Sequence, residues 1–143
     1  MLKGVPAILS PELLKVMMEM GHGDELIIGD GNFPAASMAR RLIRADGHGV
    51  PELLEAIMKF FPLDQFVERP VAVMAVVPGD DTKPIIWEKY RGILKAADAK
   101  FEDFELVERF SFYERARQAY AVVATGEEAL YANIILKKGV VVD

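Results

Sequence analysis

The 143-residue chain is 52% apolar and 27% charged, which suffices to bury the core of one compact domain without disulfides or metals. A net charge of -5 with scattered Lys and Arg argues against a nucleic-acid surface, and the absence of cysteine rules out a disulfide framework and a thiolate zinc site. Residues 1–6 lack the apolar core and cleavage site of a signal peptide, and the longest strongly apolar run, 71–77, is far shorter than the roughly 20 residues of a membrane helix. A soluble, cytoplasmic protein with no membrane or nucleic-acid partner is expected.

Ser10, Pro11 and Glu12 form a helix start: a capping hydroxyl, a proline suited to the first turn, and a carboxylate at the positive end of the dipole. Leu13, Leu14, Val16, Met17 and Met20 then recur at helical spacing, and Gly21 marks the stop. Leu26 to Ile28 reads as a buried strand opening into a loop over 30–34, where Gly31, Asn32 and Pro34 cannot sustain a ladder. Residues 35–38 fit neither pattern well. Leu42 and Ile43 read as a short strand. A second helix is predicted from Pro51 to Phe61, and an almost uniformly apolar run, 71–77, reads as a central strand covered on both faces.

A turn over 78–81 precedes a third helix, 84–97, with Ile85, Ile86, Tyr90, Ile93 and Leu94 inward. Residues 104–110 alternate as a strand with Phe104 and Leu106 on one face, 111–118 as a short helix, 120–124 and 133–136 as strands, and 125–128 as a turn. No linker or repeat interrupts the chain. Helices alternating with short buried strands predict an α/β single domain over 1–143.

The stretch Met20-Gly21-His22-Gly23-Asp24-Glu25-Leu26-Ile27-Ile28-Gly29-Asp30 holds one of only two histidines and, past the apolar run, a loop carboxylate. Reversals at both ends of that run are expected to bring His22 and Asp30 onto a common rim, where an imidazole and a carboxylate suit proton transfer. Later in the chain, Tyr131 and Asn133 stand two positions apart and can face one way, with Arg109 near: a phenol, an amide and a guanidinium suited to a neutral polyhydroxylated ligand. A helix-end role for His22, an Asx turn for Asp30 and a surface ion pair for Arg109 are the plainer readings. Gly29-x-Gly31 lacks the third glycine of a dinucleotide loop, Pro34 standing in its place. A metal site built from His22, Asp24, Asp30, Asp46 and His48 ranks below the acid–base reading, because transition metals normally draw on several imidazoles or thiolates.

Several runs of residues, in this order along the chain, carry a family resemblance: Leu2-Lys3-Gly4-Val5-Pro6, Leu9-Ser10-Pro11-Glu12-Leu13-Leu14-Lys15, Met20-Gly21-His22-Gly23-Asp24-Glu25, Asp30-x-Asn32-Phe33-Pro34, Arg44-Ala45-Asp46-Gly47, Phe112-Tyr113-Glu114-Arg115-Ala116, Thr125-Gly126-Glu127 and Tyr131-Ala132-Asn133-Ile134-Ile135. Together they resemble the D-ribose pyranase/L-fucose mutarotase family, nearly end to end and in the form of its mutarotase branch. The resemblance implies a three-layer α/β sandwich with a mixed central sheet. It also implies ring-shaped homo-oligomers, decamers in many members, with sites at subunit contacts. The implied activity is cofactor-free interconversion of the anomers of a free monosaccharide. Alternatives are pyranose/furanose interconversion and a non-catalytic sugar-binding accessory of an uptake system. By motif, His22 resembles the proton donor, and Asp30, Arg109, Tyr131 and Asn133 resemble sugar ligands, with Tyr113 a further one. The general base is left among Tyr113, Tyr131, a carboxylate and a bound water.

Overall fold

The computed structural model describes residues 1–142. Six strands form one sheet in the order β2-β5-β1-β6-β3-β4: β1 (Glu25–Gly29), β2 (Leu42–Ala45), β3 (Val71–Met74), β4 (Glu105–Val107), β5 (Ala121–Thr125) and β6 (Ile134–Lys137). Strand β6 runs antiparallel to both of its neighbours, β1 and β3, while the β1–β5, β2–β5 and β3–β4 pairs are parallel. The sheet is therefore mixed, with β6 alone reversed.

Side-chain alternation along the strands divides the core in two. Leu26, Ile28, Ile43, Val71, Val73, Val123, Ile134 and Leu136 point to one face. There they meet the apolar stripes of α1 (Pro11–Glu19), α3 (Val50–Ile57) and α4 (Ile86–Ala97). Ile27, Ala72, Met74, Val122, Ala124 and Ile135 point to the other. There α2 (Ala35–Met38) and α5 (Arg109–Gln118) cover them through Ala35, Phe112 and Ala116. Helices on both faces of a central sheet make the three-layer α/β sandwich expected from the sequence.

The N-terminal caps follow the sequence signals. Ser10 accepts the Leu13 N–H at 3.1 Å at the head of α1. At the head of α3, the Glu52 carboxylate reaches back to the Gly49 N–H while Glu127, from the far side of the chain, accepts the Val50 N–H at 3.0 Å. The ambiguous segment 35–38 is a single helical turn.

The structure departs from the sequence pattern at the edge strand, at the head of α4 and at the end of β3. The strand read over 104–110 stops at Val107, because Glu108 caps the next helix by accepting the Ser111 N–H at 3.0 Å, and Arg109 is already helical. On this three-residue edge strand Val107 is buried and Leu106 faces out, the reverse of the alternation read from sequence. Ile85, expected inward, precedes the first turn of α4 and is exposed. The run 71–77 also leaves the ladder early, after Met74.

Candidate functional site

Strand direction decides which candidate residues meet. Asp30 follows the C-terminal end of β1, and Asn133 immediately precedes antiparallel β6, so the Ile28–Ile134 pairing sets the two side by side. The Asn133 side-chain oxygen accepts the Asp30 N–H at 2.8 Å, and both residues are buried. The Asn133 amide nitrogen donates to no protein acceptor among the described residues and is not sealed from solvent, so it is free to meet a ligand.

The Asp30 carboxylate accepts the Asn32 N–H at 2.9 Å. Burial pushes its pKa up, against the backbone amides of Asn32, Ala132 and Phe33, with the Glu127 charge adding to the rise. A carboxyl raised in the folded state binds protons more readily there than in the unfolded chain, so it costs stability as pH climbs from its unfolded pKa through its folded one. Asp30→Asn should therefore melt above wild type at neutral pH, and that advantage should vanish in acid. Melting curves over a pH series check it.

Tyr131 has a backbone φ of 57°, unusual for a residue with a Cβ. Its carbonyl accepts Trp87 Nε1–H at 2.8 Å, and the next carbonyl, of Ala132, accepts the buried Tyr90 hydroxyl at 2.7 Å. These two bonds from α4 hold the segment that presents Tyr131 and Asn133. On the opposite face, Arg109 Nε donates to the Tyr113 hydroxyl at 3.2 Å, one turn along α5, and its guanidinium lies 5.5 Å from the Tyr113 ring centre. Phe33, from the loop after Asp30, packs 6.0 Å from that same ring. Asp30, Arg109, Tyr113, Tyr131 and Asn133 thus gather at the end of the sheet where the parallel strands finish, the end at which open α/β sheets bind ligands. A cavity of about 300 Å³ opens beside Asp30, lined by Gly31, Phe33, Arg44, Asp46 and Thr125, but the other four candidates do not line it. Of these, Arg109 is exposed, Tyr113 and Tyr131 are half-buried, and Asn133 is buried beside Asp30.

His22 is not with them. It sits before β1, whose length from Glu25 to Gly29, roughly 13 Å of extended backbone, separates it from Asp30. The common rim expected for His22 and Asp30 does not exist within the chain, because the apolar run between them is a full strand crossing the sheet. At its own end, His22 is held by a turn in which Gly23, at φ 88°, donates its N–H to the Lys138 carbonyl at 2.8 Å. Its Nε2 lies 3.0 Å from Asp64 Oδ1. Since an ionised carboxylate only accepts, Nε2 carries the hydrogen of this bond, which leaves Nδ1 for another partner.

Asp64 was not singled out by sequence. It lies among apolar neighbours after Pro62, one of 22 acidic residues, and only the tertiary fold brings it to His22. Its side chain is 4% exposed against 45% for the imidazole. Burial would raise its pKa, but the Phe66 N–H and the His22 ring together hold it below the usual carboxylate range. Such a carboxylate fixes the tautomer and orientation of the imidazole.

The metal reading finds no support in this geometry. Among the described residues no three His, Asp or Glu side chains converge, and Asp46 is engaged by Arg44 at 2.6 Å.

The chain as a whole is similar to known proteins. The model of the RbsD / FucU transport protein family matches residues 3–141. An L-fucose mutarotase of Actinobacillus pleuropneumoniae is 55% identical, covering 98% of this chain and 97% of its own. The human fucose mutarotase is 54% identical, covering 97% and 94%. The crystal structure of the fucose mutarotase from Streptococcus pneumoniae in complex with L-fucose superposes with a TM-score of 0.92 at 52% identity, over 99% of this chain and 100% of that one. A match along almost its entire length and a shared fold place the chain in the RbsD / FucU family.

Proposed function

We propose that residues 1–143 form one sugar mutarotase domain that interconverts the α and β anomers of a free monosaccharide, L-fucose first, in the cytoplasm and without a cofactor. The observation that carries this reading is the gathering of Asp30, Arg109, Tyr113, Tyr131 and Asn133 at one end of the sheet: acceptors and donors of several kinds, suited to a ring of hydroxyls. Likeness to proteins named L-fucose mutarotase, and to one crystallised with L-fucose, supports the choice of sugar.

The chemistry needs one proton delivered to the ring oxygen and one removed from the anomeric hydroxyl. The C1–O5 bond then breaks, the open-chain aldehyde turns about C1–C2, and closure on the other carbonyl face reverses both transfers. His22 supplies the acid through Nδ1 once protonated, with Asp64 steadying the imidazolium. Asp30, Arg109 and Asn133 hold the remaining hydroxyls so that only C1 turns.

Because His22 and the rim lie at opposite ends of β1, the reading places each site between two protomers. The surface supports this. Exposed Phe66 packs 5.3 Å from the His22 ring, and exposed Leu2, Met18 and Phe60 line a groove of about 500 Å³ that also includes Lys138, whose carbonyl holds the His22 turn. Exposed Val77, Ile85, Phe110 and Leu130 mark the opposite end. Two unlike apolar patches on opposite ends suit a head-to-tail contact between copies, and such contacts close into a ring where the rotation between neighbours allows. We propose such a ring, in the decameric form that the family resemblance implies, with His22 of one protomer meeting the rim of the next.

Saturation-transfer NMR on fucose, galactose, ribose and glucose tests the activity. Faster exchange between the anomers of fucose than between those of the other three is expected. Sugar binding without faster exchange would instead favour a transport accessory.

A further inference from the structure

The connection from β3 to α4 passes over the Tyr131 side chain and takes hold of it. The Tyr131 hydroxyl donates to Asp80 Oδ2 at 2.6 Å and accepts the Val77 N–H at 3.2 Å. The other carboxylate oxygen of Asp80 is fixed in its turn by the Thr82 backbone N–H at 2.9 Å and hydroxyl at 2.6 Å. Tyr131 is thus pinned at both ends: its strained backbone by Trp87, its phenol by Asp80. Left-handed backbone at a residue with a Cβ persists only where its surroundings hold it.

A phenol has one hydrogen to give. Here it is already given to Asp80, and one acceptor position is taken by Val77. What remains for a ligand is a lone pair.

We infer that Asp80 is a positioning residue of the sugar site, one that fixes the Tyr131 ring and occupies its proton, so that Tyr131 meets the sugar only as an acceptor. The inference rests on the mutarotase reading, in which Tyr131 touches sugar. It also removes Tyr131 from the possible general bases. Its hydrogen bond to Asp80 pushes the phenol's pKa up, against the Val77 N–H and the nearby Arg109 guanidinium, and keeps it protonated at neutral pH.

The test is a double-mutant cycle on the full-length protein. Asp80→Ala should raise the KM for fucose exchange roughly tenfold, about the effect of one misdirected charge-assisted hydrogen bond, with kcat within about twofold. Asp80→Asn keeps an acceptor oxygen and should restore most of the affinity. In a Tyr131→Phe background, Asp80→Ala should add nothing further. Effects that multiply in full across the cycle would overturn the inference, as would an unchanged KM in Asp80→Ala. Loss of folding in that variant would also overturn it, since the role given to this exposed carboxylate is local. A readout independent of turnover separates this from the mutarotase reading itself: the Tyr131 ¹³Cζ titration should move to lower pH in Asp80→Ala. If it moves and wild type does not exchange fucose, the clamp stands and the activity falls. If it does not move, the clamp falls.

Discussion

Replacing His22 with Ala should bring anomer exchange down to the uncatalysed background. The expected loss is on the order of 10²–10⁴-fold, the usual worth of one positioned acid–base group. The fold should survive. The imidazole is about half exposed, and Asp64 keeps the Phe66 N–H at 3.0 Å as a second partner, so the buried carboxylate is not stranded. A second consequence separates this variant from a generally damaged one. Asp64 is held below the usual carboxylate range in part by His22, so it contributes stability above its unfolded pKa and loses it as pH falls through its folded one. Without the imidazole its folded pKa moves back up, and His22→Ala should begin to unfold at a less acidic pH than wild type. Exchange by saturation-transfer NMR and an acid melting series check the two statements. Undiminished exchange in the variant would remove His22 from the mechanism.

The sequence carries the layers of this fold plainly. Apolar spacing near 3.6 over 11–20 and 51–61 and uniformly apolar runs at 26–28 and 71–74 need only local chemistry to be read, since capping and burial act within a few residues. The short edge strand β4 is harder. Three residues give too little alternation, and the helix cap of Glu108 overrides what pattern there is.

The site divides the same way. Tyr131 and Asn133, two apart, and Asp30 after an apolar strand were visible because one short segment holds each. Three features were not visible. Asp64 reaches His22 across 42 positions in the chain, by a contact that no local pattern encodes. Tyr131 gives no sign of left-handed backbone, which in sequence is signalled by glycine or asparagine. And whether a strand returns its two ends to one rim or carries them apart depends on pairing with β5 and β6, which is decided about a hundred residues later.

That separation has a consequence for mixtures of inactive proteins. His22→Ala keeps an intact rim, and Asn133→Ala keeps an intact His22. Each alone should be inactive, the second because it loses the free amide and strips the buried Asp30 N–H of its acceptor. Truncating Asn133 should also cost about 1–3 kcal/mol of stability through that unpaired donor. If every site were built within one protomer, unfolding the two variants together and refolding them would yield no working site at any ratio. If His22 of one chain meets the rim of its neighbour, contacts that take the imidazole from the Asn133→Ala chain and the rim from the His22→Ala chain are whole. With equal amounts and random assembly around a ring, about a quarter of all contacts have that composition. Exchange should therefore return to about a quarter of wild type after co-refolding, and stay at background when the variants are refolded separately and mixed without dissociation. A size-exclusion profile matching wild type would verify that the rings had re-formed. The recovered fraction reads the geometry directly: a quarter for sites shared between protomers, none for sites contained in one.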